Sequence, residues 1–189
     1  SLAAALGLLA VRASAQPFSP QHKAKVLMFG DSILFESKNY VTWALQLGGK
    51  AEVRAYAVSG SALCAWFPDS GSSAAVIPSD IVSQVRDWKP DVVVFQFWGN
   101  PNYLGISPCM GDLMRGADDY YERYRADAKA AMWHVLRGAL DAQMQMPNVY
   151  WVLQPPDPFV PNAPRRINEG YRALSGDASW DTLRFADAG

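Results

Sequence analysis

The stretch Lys25–Phe35, KVLMFGDSILF, decides the fold. Its first five residues read as a short buried strand, Gly30 gives the backbone freedom for a tight exit, and a helix is expected from near Ile33. That turn sets Ser32 at a strand's carboxyl end and a helix's amino end. Ligands of open α/β sheets bind at that edge, and the amides and dipole of a helix N-terminus favour negative charge there. Ser32 is therefore a candidate nucleophile, although an Asp31-Ser32 pair also serves as an ordinary helix cap.

Outward from this turn, apolar strands alternate with helical segments, which argues for parallel βαβ units. The pattern predicts strands at about 25–30, 52–57, 91–97, 148–153 and, more weakly, Thr182–Asp187, with helices near 34–47, 79–88, 118–145 and 164–175. Asp91–Phe97, DVVVFQF, is the clearest strand; its unbroken apolar run indicates burial on both faces and a central place in the sheet. In the long helical segment, Tyr121, Tyr124, Ala128, Ala131, Val135 and Leu140 fall on one stripe, the mark of a packing helix. Right-handed crossovers then give a three-layer α/β/α sandwich with a parallel sheet of about five strands. Gln154–Pro158, QPPDP, follows the fourth strand and is expected as a rigid loop at the same sheet edge as Ser32.

Half of the 189 residues are hydrophobic, 19% are charged and the net charge is -1, the balance of a soluble globular protein. With no basic patch, nothing favours a nucleic-acid partner. Residues 1–15, ending in Ala13-Ser14-Ala15, read as a partial signal peptide cleaved after Ala15, so the protein is expected to be exported. The apolar run is too short to span a bilayer comfortably, and no stable membrane insertion is expected after cleavage. Residues 16–23 form a linker and residues 24–189 one domain. Cys64 and Cys109 are the only cysteines; in an oxidising compartment they could pair, and two unpaired thiols are the alternative. No metal-binding spacing, GxxxxGK[ST] or GxGxxG is present, and no cofactor is expected.

A nucleophilic serine needs an oxyanion hole, a base and an orienting acid. After the second strand, Ala57–Ser61, AVSGS, offers Gly60, whose bare amide can approach a carbonyl closely. After the third, Trp98–Asn102, WGNPN, offers the carboxamide of Asn100. With the amide of Ser32 these would make a three-donor oxyanion hole, each donor typically worth about 10²- to 10³-fold in rate.

Gly30-Asp31-Ser32, Gly60 and Gly99-Asn100, taken in order, resemble the first three blocks of the SGNH hydrolases, the GDSL esterase and lipase family. The resemblance covers about residues 24–189 and implies a flavodoxin-like fold. The third block departs from the family's Gly-X-Asn-Asp, with Trp98 and Pro101 in the outer places, which makes Asn102 a possible substitute for Asn100. The family's fourth feature, Asp-X-X-His, has no counterpart here. Of the two histidines, His22 lies in the linker and His134 inside the long helix, where its flank position is expected to be far from Ser32. Asp181 and Asp187 surround the last predicted strand, and the missing motif is expected beyond it, downstream of Gly189. The chain thus reads as truncated at both ends. Loss of a triad base costs about 10⁶-fold in turnover, so the chain is expected to be nearly inert apart from what the oxyanion hole and binding supply.

Trp66 and Trp98 stand just beyond the second and third blocks, where exposed rings could stack on a sugar or cover an acyl chain, and where burial is the alternative. Tyr103 and the loop around Asp157 are weaker candidates of the same kind; Asp69 and Asp112 are expected as solvated loop acids. The resemblance implies an exported serine esterase acting on a lipid, aryl or acetylated-carbohydrate ester through a Ser32 acyl-enzyme. An O-acyltransferase acting on cell-envelope sugars, or a non-catalytic carbohydrate-binding relative, are the alternatives.

Overall fold

Five strands, β1 (Ala24–Gly30), β2 (Ala51–Ala57), β3 (Val92–Gln96), β4 (Asn148–Val152) and β5 (Leu183–Ala186), form one parallel sheet in the order β2-β1-β3-β4-β5. This is the flavodoxin-like order, in which the chain reverses direction across the sheet between β1 and β3. The structure, a computed structural model, describes residues 22–156 and 162–174 and the backbone of 183–186. Asp157, Asp181, Asp187 and the leader lie outside the described residues.

The period-2 alternation of strands sorts the core into two layers. Leu27 and Phe29 of β1, Val93 and Phe95 of β3, and Val149 and Trp151 of β4 face the larger cluster, shared with α2 (Ile81–Trp88), α3 (Asp118–Asp141) and α4 (Asn162–Ala173). Val26 and Met28 face the other way, onto Leu34 of α1 (Ser32–Gln46). Both faces of the central strands are therefore apolar, which is why β1 and β3 read as unbroken hydrophobic runs. The register stacks aromatic rings across four strands: Tyr56, Phe29, Phe95 and Trp151 are directly paired neighbours, with centroids 5.9, 5.9 and 4.7 Å apart. This row lies just beneath the sheet's carboxyl edge.

Helix boundaries differ from the expected ones for local reasons. α1 already includes Ser32, because Asp31 caps it by accepting from the Ile33 amide at 3.1 Å. α2 waits until Ile81, where the Asp80 carboxylate accepts from Ser83 N at 2.9 Å. α3 stops at Asp141, and Gln143 takes a left-handed φ of 53° two residues later. The expected stripe on α3 holds as far as Val135 and then fails: Leu140 is 65% exposed, while Gly138 and Ala139 are buried. A side chain at Gly138 would meet the Val82 carbonyl at 2.8 Å, so the close contact with α2 runs through Gly138 and leaves Leu140 outside it.

Cys64 and Cys109 form a disulfide across 45 residues, joining the short helical turn Leu63–Trp66 after β2 to the turn Pro108–Met110 after β3. Cross-linking a loop of that length limits the unfolded chain by about 4 kcal/mol on the chain-entropy account. Cys64→Ala/Cys109→Ala is expected to lose about 2–4 kcal/mol in urea unfolding; a loss below 0.5 kcal/mol, roughly the scale of a neutral surface change, would show that the bridge does not constrain the fold.

Candidate active site

Ser32 stands at the first position of α1, directly after β1, and Gly99-Asn100 directly after β3, so the reversal point of the sheet brings them to one crevice. Gly30 is needed there for space. A Cβ on it would lie 2.4 Å from Leu34 Cβ and 2.7 Å from the Gln96 carbonyl, while its φ is not in the left-handed region, which corrects the reading of Gly30 as a source of backbone freedom. Gly60 and Gly99 are the positions that do need glycine's freedom, with φ of +80° and +83°.

Asp31 holds the crevice together. Its fully buried carboxylate accepts from the Trp98 amide at 2.5 Å and from Asn100 Nδ2 at 3.0 Å, besides capping α1. Asn100 Nδ2 also donates to the Ser61 carbonyl at 3.2 Å, so one carboxamide links the turns after β1, β2 and β3. Both hydrogens of Nδ2 are thereby directed at protein acceptors, and Asn100 can serve an oxyanion only by exchanging one of those bonds. The amides of Ser32 and Gly60 donate to no described residue. A first-turn helix amide has no intrahelical acceptor, which keeps that of Ser32 available.

Burial pushes the Asp31 carboxyl up from an ordinary 3.8 to about 6, against the opposing pull of the Trp98 and Ile33 amides and the Arg115 charge. A carboxyl whose pKa rises on folding contributes stability that is full below the unfolded value, near pH 4, and is lost as pH climbs through about 6. The amount is about 3 kcal/mol, at 1.36 kcal/mol per pH unit. Urea unfolding at about pH 4 and about pH 8 is expected to show a smaller fall in Asp31→Asn than in wild type by roughly that amount, and an equal fall in both would contradict the assignment.

Neither histidine can serve Ser32. The Tyr120 hydroxyl donates to the Gly99 carbonyl and marks where α3 meets the site. His134 lies fourteen residues further on, about 21 Å along the helix axis, with its ring on Phe67 at 4.6 Å and its pKa lowered by burial. His22 Nε2 sits 3.2 Å from Asp91 at the opposite end of β1, about 20 Å from the carboxyl edge.

The other expected site residues divide. Trp66 is wholly buried, edge-on to Phe29 and donating to Ser61 Oγ at 3.2 Å, so the expectation that it contacts substrate is corrected: it is a core residue under the second turn. Trp98 stays half-buried at the crevice, with the Arg115 guanidinium 5.5 Å from its ring centre. Asn102 is occupied in its own loop, where Oδ1 accepts from Ser107 N at 3.0 Å. Tyr103 is half-exposed beside Gly60, and Asp69 and Asp112 are exposed. Among the described residues no three His, Cys, Asp or Glu side chains are grouped to hold a metal ion, and no helix is long and apolar enough to cross a membrane. A groove of about 380 Å³ between α3 and α4, lined by Glu122, Arg125 and Lys129 among others, holds no serine, cysteine or histidine.

Sequence reasoning missed Tyr120, Arg115 and Gln154, which hold successive carbonyls after β3. Gln154 alone carried a readable signal: a polar residue ending an apolar strand just before Pro155-Pro156.

No family model matches the chain, and no curated protein matches it in sequence. Solved structures resemble it in chain path. The C-terminal catalytic domain of peptidoglycan O-acetyltransferase A from Streptococcus pneumoniae has a TM-score of 0.49 at 12% identity, over 88% of this chain and 70% of that one. A lipolytic-family protein of the G-D-S-L group from Desulfitobacterium hafniense scores 0.48 at 15% identity, over 87% and 77%. An acylhydrolase-like protein from Bacteroides fragilis scores 0.43 at 15%, over 90% and 70%. Such identities carry no residue's role across, so the roles of Ser32, Gly60 and Asn100 rest on the geometry of this chain.

Proposed function

We propose that this is an SGNH-type serine hydrolase that cleaves carboxylic esters, a small molecule or a glycan, outside the cytoplasm. The observation that carries the reading is Ser32 at the N-terminus of α1, in the crevice where β1 and β3 diverge, with uncommitted amides at Ser32 and Gly60. Ser32 Oγ attacks the ester carbonyl and gives up its proton to a base; the carbonyl oxygen takes the charge beside the amides. The alcohol leaves with a proton, and water then releases the acid from Ser32. The Cys64–Cys109 disulfide supports an oxidising compartment.

The two histidines' distance from Ser32 favours a second reading, a carbohydrate-binding relative that does no chemistry. Free imidazole in solution can stand in for the base and separates the two. With p-nitrophenyl acetate, hydrolysis is expected to exceed the protein-free imidazole rate and to yield free acetate. Acetylation of an added sugar instead would assign an O-acyltransferase. No excess rate, together with sugar binding that Ser32→Ala leaves intact, would favour the non-catalytic relative.

A further inference from the structure

Three consecutive peptide units after β3 are each gripped by a side chain from elsewhere in the fold. Gln154 Nε2 donates to the Phe97 carbonyl at 2.7 Å, Arg115 Nη2 to the Trp98 carbonyl at 3.1 Å, and the Tyr120 hydroxyl to the Gly99 carbonyl. The first of these is special. The Phe97 carbonyl and the Trp98 amide belong to one peptide unit, and it is the Trp98 amide that donates to Asp31 at 2.5 Å. Gln154 and Asp31 therefore hold the same peptide from opposite edges, and each bond polarises the group that makes the other.

Gln154 is itself fixed. Its amide donates to Asn168 Oδ1 at 2.8 Å, and its carbonyl accepts from Asn168 Nδ2 at 2.9 Å, so α4 reads its backbone in both directions. The residue is only 7% exposed, and its Oε1 is buried with no hydrogen-bond partner among the described residues. An apolar side chain of similar volume would leave no orphaned oxygen in this interior, so packing alone does not call for glutamine. Its amide nitrogen is the part in use.

We propose that Gln154 is a positioning residue for the candidate active site: docked by Asn168 of α4, it locks the Phe97–Trp98 peptide against Asp31 and so sets the Gly99-Asn100 turn beside Ser32. This rests on the reading of Ser32 as nucleophile for its effect on reactivity, but not for its effect on the Trp98 amide. The exchange Gln154→Met tests it, since methionine fills the space and cannot donate. A fluorophosphonate probe with imidazole as base is expected to label Ser32 about 10- to 100-fold more slowly in the variant, in the maximal rate and not in probe binding, as a small misplacement does. Hydrogen exchange at the Trp98 amide is expected to speed up at least several-fold, while the melting temperature stays within a few degrees of wild type. Unchanged Trp98 exchange would overturn the proposal, whatever the labelling. Faster exchange with equal labelling would overturn the link to the site. Absence of labelling in wild type would count against the nucleophile, leaving Trp98 exchange to decide on Gln154.

Discussion

Ser32→Ala is expected to remove all ester hydrolysis above the imidazole blank while leaving the fold intact. In a complete serine triad, loss of the nucleophile costs about 10⁶-fold in turnover. Here the base is borrowed from solution, so the starting rate is far lower and the variant should fall to background. The hydroxyl makes no hydrogen bond to a described residue, and Asp31, not Ser32, supplies the side-chain cap of α1. Alanine in that place should therefore change stability by less than about 0.5 kcal/mol, the range of a neutral surface change. The comparison of p-nitrophenol release by the two proteins, each with its own unfolding curve, checks both halves. Equal rates in the two would place any hydrolysis elsewhere on the surface.

Gly30→Ala should do the opposite, harming the fold first and the site with it. The added methyl would stand 2.7 Å from the Gln96 carbonyl and 2.4 Å from Leu34 Cβ, and neither is the free end of a flexible side chain. Relief requires β1 and β3 to part at Gly30–Gln96, or α1 to lift from the sheet. Overpacking a dense interior costs about 1–3 kcal/mol, and more where backbone must move, so a loss above 3 kcal/mol is expected in urea unfolding. A loss under 1 kcal/mol, well below that range, would mean that the turn before Ser32 is looser than its contacts indicate. Because Asp31 and Ser32 follow directly, any soluble variant should also lose labelling at Ser32.

How much of this was legible in the sequence depended on which physical signal carried each part. Strands buried on both faces announce themselves as apolar runs, so KVLMF and VVVF gave the sheet and its central members. Even Leu183–Ala186, a weak signal, takes its place beside β4. The Gly-Asp-Ser turn was equally legible, because strand, glycine and cap are all local. The role of Gly30 was not: its need for space arises from Leu34 on the following helix and from the carbonyl of Gln96, 66 positions away, and neither approach is visible before the strand, the helix and β3 are packed together. Trp66 was misplaced for a similar reason. Proximity to Gly60 in sequence suggested the crevice, but the helical turn at Leu63–Trp66 swings the ring under the sheet onto Phe29. The commitment of Asn100 to both Asp31 and Ser61 is a three-turn arrangement and needs the fold to be seen.

Asp31 thus has a larger part than a local reading of its turn assigns. Its cap on α1 was foreseeable, whereas its hold on the Trp98 amide and the Asn100 carboxamide makes it the tie between the nucleophile's turn and the turn after β3. The burial that encloses this tie, and not the tie's own hydrogen bonds, makes stability depend on pH, through a carboxyl raised to about 6.

The central claim, that Ser32 is the reactive group, is tested most directly by locating a covalent adduct. The chain would be treated with a fluorophosphonate in the presence of imidazole and digested with trypsin, and the peptide Val26–Lys38, which contains Ser32 and Ser37, would be fragmented in the mass spectrometer. A single adduct at Ser32, growing with imidazole and absent from Ser32→Ala, is the result predicted. No adduct at any imidazole concentration, or one at Ser37 or on another peptide, would contradict it.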